Sequence, residues 1–189
     1  MRIIGGKYRG KKLNAPAHSG TRPTSDRTRE TLFNILLHNL LFGSQFLLDK
    51  TVLDIFAGTG ALGLEAFSRG AKSVTFIENH RETLPILYAN LKDFDLPSSC
   101  VMELDVQKLK RNPHPPFDLI FMDPPYHQNL IVPTLRELES EGWMSKNALI
   151  LMETAKDEVI DLPPFLSFAL ERISGAAKLL FCFRQNKIE

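Results

Sequence analysis

The chain has 189 residues, 43% of them hydrophobic and 24% charged, with a formal net charge of +1. That composition allows one ordinary domain with a full core and excludes a disordered chain. No run of about 18 apolar residues occurs, so no membrane span is expected.

The charge is unevenly placed. Residues 1–30 hold Arg2, Lys7, Arg9, Lys11, Lys12, Arg22, Arg27 and Arg29 against Asp26 and Glu30, a net +6. The rest of the chain holds 15 basic and 20 acidic residues, a net −5. A basic arm on a mildly acidic body suits an anionic partner gripped at one end, and favours nucleic acid.

In chain order, the basic start Met1-Arg2-Ile3-Ile4-Gly5 lacks the apolar stretch of a signal peptide. Residues 1–16 are expected to form a small hairpin, with Ile3-Ile4 and Leu13 flanking the turn-prone Gly5-Gly6-Lys7-Tyr8-Arg9-Gly10. A polar loop with Arg22-Pro23-Thr24 follows. Ser25 or Asp26 is the expected cap of a helix of about sixteen residues ending at Gly43. Its apolar stripe would be Phe33, Leu36, Leu37, Leu40 and Leu41, leaving Arg27, Glu30, Thr31, Asn34 and His38 opposite.

From residue 51 the pattern becomes strand, glycine turn, helix. Val52-Leu53-Asp54-Ile55-Phe56 is an expected buried strand, and Ala57-Gly58-Thr59-Gly60-Ala61-Leu62-Gly63 turns into a helix over 61–69. Such glycines let a backbone approach a ligand and leave helix N–H groups free. A strand over 73–77 ends in Glu78, 24 residues after Asp54, a spacing suited to gripping ribose hydroxyls. A helix over 80–92 precedes a strand over 100–104 ending in Asp105, placed to accept from an adenine amine. The next strand, Leu119-Ile120-Phe121-Met122, ends in Asp123-Pro124-Pro125-Tyr126. Two prolines cannot continue a ladder and stiffen the turn. The turn then offers a carboxylate, the Pro124 carbonyl and an aromatic face to a planar base carrying an amine. A helix near 129–141 and a strand over 148–152 ending in Glu153 follow, then two strands near 167–173 and 178–184 in an edge hairpin.

Repeated strand–helix units with acids at strand ends predict an α/β fold, a doubly wound and mostly parallel sheet with its ligand crevice above those ends. Gly58-x-Gly60-x-x-Gly63 also satisfies a dinucleotide fingerprint, so a nicotinamide dehydrogenase is weighed. The aspartate four residues before the first glycine and the terminal hairpin fit a nucleoside-bearing methyl donor better. Glu78 would hold its ribose, Asp105 its adenine, and the glycine loop its methionine part. Asp54 would either line that pocket or order the loop through backbone N–H groups. Cys100 and Cys182, far apart and without metal-ligand spacing, are expected to be small fillers in a reducing cytoplasm. His127 is expected in a solvated loop, His114 in a stiff connector, and Trp143 packed under the sheet.

Three stretches carry a family resemblance: Met1 to Gly10, Arg22-Pro23-Thr24-Ser25-Asp26-Arg27-Thr28-Arg29-Glu30-Thr31-Leu32-Phe33-Asn34, and Asp54 to Ala66. With Asp123-Pro124-Pro125-Tyr126, they resemble the bacterial small-subunit ribosomal RNA guanine-N2 methyltransferases, within the class I S-adenosylmethionine-dependent enzymes. The resemblance implies a seven-stranded Rossmann-like sheet with a C-terminal antiparallel hairpin and an N-terminal β-hairpin arm. It implies a basic arm over 1–24 and a methyltransferase domain over 25–189. It implies S-adenosyl-L-methionine held by Asp54, Ala57, Gly58, Thr59, Gly60, Glu78, Asp105 and Asp123, and catalysis at Asp123, Pro124 and Tyr126. The RNA would meet Lys7, Arg9, Lys11, Lys12, Arg22, Arg27, Pro125 and Tyr126. The implied partner is 16S ribosomal RNA or a small-subunit particle, met by a monomer with no metal and no membrane. Two alternatives stay open: an adenine-N6 methyltransferase acting on DNA or RNA through the same turn, and a non-catalytic RNA-binding module.

Overall fold

A computed structural model describes residues 1–16, 26–94, 96 and 100–185, apart from the Cys100 side chain. The expected roles of Arg22, the Ser25 cap and Cys100 therefore fall outside the described residues.

Among the described residues, seven strands form one sheet: β1 (Thr51–Ile55), β2 (Ser73–Ile77), β3 (Cys100–Met102), β4 (Phe117–Met122), β5 (Met144–Ala155), β6 (Leu166–Ser174) and β7 (Ala177–Arg184). Their order is β3-β2-β1-β4-β5-β7-β6. The first five are parallel, and β7 runs antiparallel between β5 and β6. The helices are α1 (Asp26–His38), α2 (Ala61–Ser68), α3 (Leu84–Leu91) and α4 (Ile131–Ser140). Strand order reverses between β1 and β4, so a crevice opens above the carboxyl ends of those two strands. No helix among the described residues is long and apolar enough to cross a membrane.

Continuous apolar runs fit strands covered on both faces. One face buries Val52, Val74, Phe76, Leu119, Phe121, Leu151 and Phe181 with Phe33 of α1, Leu64 of α2 and Leu87 of α3. The other buries Leu53, Ile55, Ile77, Ile120, Met122, Ile150 and Met152 with Leu135 and Leu138 of α4. Trp143 lies in this second layer, stacked on Phe117 at 6.1 Å, its Nε1 donating to the Lys110 carbonyl at 3.0 Å. It is a core residue.

Several boundaries differ from expectation. Helix α1 stops at His38, because the Asn39 side chain accepts from the Leu41 N–H at 2.9 Å and competes with helix bonding. Leu40 and Leu41 are consequently exposed, and the buried positions are Thr28, Arg29, Leu32, Phe33 and Leu36. Helix α3 begins at Leu84 instead of 80, with Pro85 in its first turn where a missing N–H costs nothing. Strand β5 extends well beyond 148–152, since β4 pairs its start and β7 pairs its end through Ala155. Strand β3 stops at Met102, short of the expected 104.

The arm is hairpin-like, with one antiparallel bridge between Arg2 and Lys12. Ile3 and Leu13 enter the first core layer, so the arm is docked onto the domain. Glu65 of α2 accepts the Ile4 and Gly5 N–H groups, both at 2.8 Å. Ser68 takes the Tyr8 N–H on its hydroxyl at 2.9 Å. Arg29, counted above in the charge of residues 1–30, is fully buried. Its Nη2 donates to the Arg2 carbonyl at 2.6 Å and to Asp26 at 2.8 Å, and its Nε lies 3.9 Å from Glu65. The surface charge of residues 1–30 is smaller by that one cation.

Candidate active site

Register sets the site. Strand partners Ile55↔Ile77, Ile55↔Met122 and Met122↔Met152 put Glu78, Asp123 and Glu153 at one level, one residue beyond the last pairs. Alternation along each strand gives these acids the face of Phe76, Phe121 and Leu151, and Asp54 shares it two residues lower with Val52. Four neighbouring strands thus bring four carboxylates to one rim. Burial pushes the Asp54 carboxyl well above its ordinary range; the Gly63 N–H opposes this, while Asp123 and Glu78 add to it by charge repulsion. A rim of this sign favours a ligand with a cationic centre and several hydroxyl or amine donors.

The glycine loop is held from beneath. Asp54 accepts the Gly63 N–H at 2.8 Å, so it orders the loop as the second of the two expected roles required. That N–H is not available to a ligand, contrary to expectation. Gly60 at φ +79° and Gly63 are packing glycines: an added Cβ would sit 2.6 Å from Leu87 at the first and 2.5 Å from Phe76 at the second. Gly58 differs. At φ +57° it has nothing nearer than 3.9 Å to an added Cβ, so the space beside it suits a bound molecule. Ala57 closes the turn by accepting from Gly60 N–H at 2.8 Å, and Asn90 donates to the Thr59 carbonyl at 2.9 Å. Asn90 also bonds Asn14, which ties the arm to the loop.

Glu78 is mostly buried and accepts from Gly58 N–H at 2.7 Å and from Asn79 and His80 N–H, both at 2.8 Å. It is locked against the loop it would share with a ribose. Asp105 lies three residues past β3, where it caps a short 3-10 turn by accepting from Gln107 at 3.0 Å and pairs with Lys108 at 3.7 Å. The expectation of an acid directly on a strand end is corrected in its boundary: β3 stops at Met102, and Asp105 follows it as the cap of the turn.

In the turn after β4, Pro124 is buried, Pro125 exposed, and Asp123 and Tyr126 half-buried. The Tyr126 hydroxyl donates to Glu153 at 2.7 Å, a bond that the sequence alone did not assign. The available signal was an acid closing the apolar run 148–152, as Glu78 and Asp123 close β2 and β4. His127, exposed at φ +60°, lies 3.9 Å from Asp157 and has no part in the rim.

A second face adjoins the arm. A cavity of about 340 Å³ is lined by Arg2, Arg9, Arg27, Asp26 and Glu30, with Ile3, Ile4 and Gly10. Lys7 and Lys12 are exposed nearby in the chain, with Lys7 5.1 Å from the Tyr8 ring centre. Lys11 lies over Phe94 at 5.0 Å and pairs with Asp93, so part of its charge is already answered.

The sheet order and the antiparallel β7 are those of the Rossmann-like α/β class, and with the relatives that the chain matches they make it an S-adenosylmethionine-dependent methyltransferase. The chain belongs to the family described as conserved hypothetical protein 95, whose model matches residues 1–183. It is 38% identical over its full length to ribosomal RNA small subunit methyltransferase D of Escherichia coli, covering 91% of that protein. The Haemophilus influenzae protein of the same name is 38% identical over 93% of this chain and 89% of its own length. The solved structure of the Escherichia coli methyltransferase yhhF superposes with a TM-score of 0.82 at 36% identity, over 98% of both chains.

Proposed function

We propose that this enzyme transfers a methyl group from S-adenosylmethionine to the exocyclic N2 amine of a guanine in small-subunit ribosomal RNA. The observation that carries this is the acid rim at the reversal of strand order, with the Asp123-Pro124-Pro125-Tyr126 turn on the same rim. Small-subunit ribosomal RNA enters through the names of the relatives, an exocyclic amine through the donor–acceptor chemistry of the turn, and guanine through the family resemblance of the sequence.

Gly58 and Thr59, with Ala57 and Gly60 shaping the turn, would hold the methionine part of the donor. Glu78 would hold the ribose, Asp105 the adenine, and Asp54 would keep the loop in place. Bound there, the donor supplies a methyl group on a sulfonium whose departure leaves a neutral thioether. The protein's task is therefore positioning. The guanine N2 lone pair is delocalised into the ring. Asp123 and the Pro124 carbonyl, accepting from its two N–H bonds, would draw the nitrogen toward tetrahedral geometry and stabilise charge as it develops. Tyr126 would stack on a base taken out of its own stack, with Pro125 beside it. The arm, residues 1–24, would grip the phosphates with Lys7, Arg9, Lys12 and Arg22, joined by Arg27 and more weakly Lys11, and residues 25–189 would carry the chemistry.

Mapping methylated guanosines in ribosomal RNA from cells with and without the protein tests the function. One N2-methylguanosine of the small subunit should disappear with the gene, and an unchanged map would rule the reading out.

Two binding predictions follow from the geometry. Glu78→Ala loses a ribose acceptor and also the anchor of the Gly58, Asn79 and His80 N–H groups. Donor affinity by calorimetry should fall by about 1.5–3 kcal/mol, with RNA affinity nearly unchanged. Equal donor affinity would exclude Glu78 from the pocket. Replacing Lys7, Arg9, Lys11 and Lys12 with glutamine should weaken RNA binding and flatten its salt dependence, the slope changing by about 0.7 for each phosphate no longer neutralised. An unchanged slope would make the arm a mere surface segment.

A further inference from the structure

Asn90 is a buried amide on α3, 3% exposed, and the buried residues of that helix are Leu84, Leu87 and Asn90. Its Oδ1 accepts the Asn14 N–H at 2.7 Å, and its Nδ2 donates to the Asn14 carbonyl at 3.1 Å and to the Thr59 carbonyl at 2.9 Å. One side chain therefore holds both backbone groups of an arm residue and one of the glycine loop. The Thr59 carbonyl and the Gly60 N–H belong to a single peptide group, and that N–H donates to Ala57 at 2.8 Å. The peptide is thus pinned at both ends, close to the open space at Gly58. Aspartate would turn an oxygen toward two carbonyls, and leucine would leave all three groups without this partner, so the joint requires an amide. The arm also meets the turn after α3: Tyr8 lies 4.8 Å from the Phe94 ring, and Lys11 donates to the Asp93 carbonyl. The exposed cations Lys7, Arg9 and Lys12 stand in the chain beside these docking points.

We propose that Asn90 is a positioning residue that couples the arm to the donor loop, so that RNA seated on the arm tightens the hold on S-adenosylmethionine. This rests on the reading of the arm as the RNA grip and of the loop as the donor cradle. An arm that lifts takes two of the three bonds with it. The amide is then free to turn about χ2 and release the Thr59 carbonyl. RNA that binds the docked arm favours the pinned loop, and the donor meets a peptide already ordered. Linkage makes the effect reciprocal: the donor tightens RNA by the same factor.

Equilibrium dialysis of labelled S-adenosylhomocysteine tests it without turnover, with and without saturating small-subunit ribosomal RNA, free or assembled in its particle. Bound RNA should raise the affinity of the parent protein for this product by about 5-fold or more. Asn90→Ala should lower the affinity without RNA by about 10-fold and bring the RNA effect below about 2-fold. Asn14→Pro deletes the N–H that Asn90 accepts and changes no residue of the loop. It should cut the RNA effect to about half or less, and it carries the test if Asn90→Ala does not fold. Thermal midpoint and direct RNA binding serve as controls for each variant. An RNA effect absent from the parent would overturn the coupling, while methylation by that same protein would leave the proposed function standing. A full RNA effect in folded Asn90→Ala, or in Asn14→Pro in its place, would overturn it too, leaving Asn90 a residue of the fold alone. If the folded parent bound no RNA, the reading of the arm would fail and the coupling with it.

Discussion

Asp123→Ala should lower kcat for RNA methylation by about 10²–10³-fold, with a small change in apparent RNA affinity. The acceptor acts where charge develops on the amine, so its loss is felt in the transition state more than in the bound complex. Asp123→Asn retains an oxygen of similar shape without the charge, and its rate should fall between parent and alanine. Asp123 also raises the pKa of Asp54 by repulsion, so its removal should ease ionisation of Asp54 and leave the glycine loop no less ordered. Because the resemblance also assigns Asp123 to the donor, calorimetric donor affinity measured on Asp123→Ala separates any loss of donor binding from the loss of rate. A parental rate in that variant would reduce the turn to an acid-capped strand end.

The largest stability effect is expected at Glu65. This fully buried carboxylate accepts from Ile4, Gly5 and Arg69, the last at 2.7 Å, and faces buried Arg29. Glu65→Ala leaves the Arg29 guanidinium buried with Asp26 as its remaining acidic partner and removes the anchor of the Ile4 and Gly5 N–H groups on α2. Removing one partner of a buried ion network costs about 3–5 kcal/mol. For a chain of this length that lowers the thermal midpoint by roughly 6–20 °C. The double variant Glu65→Leu with Arg29→Met, which removes both charges, should be distinctly more stable than Glu65→Ala. Calorimetric unfolding of the three proteins decides it: a midpoint within about 1 °C of parent for Glu65→Ala would mean that the network contributes nothing.

These two sites also show what the sequence makes legible. Asp123 is readable because an apolar run closed by an acid and two prolines has few structural solutions; an acid closing a run also marks Glu78, and the glycine loop that follows marks Asp54. The parallel sheet and its edge hairpin were visible for the same reason, as alternation of strand and helix periods. Arg29 was not, because a pattern reading assigns charges to the solvent face and cannot see a partner 36 residues away. One clue existed: Glu65 is the lone charge in Ala61–Ser68, a helix with no polar face to carry it. The end of α1 was missed because Leu40 and Leu41 continue the apolar count, while the competing Asn39 side chain acts one residue after the helix stops. Asp105 shows the opposite limit. Its place in the order of elements was right, but one of its oxygens caps a local turn, which only coordinates reveal. The Tyr126–Glu153 bond joins residues 27 apart through the β4–β5 register, and single-strand patterns do not encode register.

The central claim is a methyl group delivered to a guanine amine by the Asp123 turn. Single-turnover reaction of parent and Asp123→Ala with small-subunit ribosomal RNA, followed by digestion and mass analysis of nucleosides, tests it most directly. N2-methylguanosine should form at one position with the parent and about 10²–10³-fold more slowly with the variant. Formation of N6-methyladenosine, or of N2-methylguanosine at equal rates by both proteins, would contradict it.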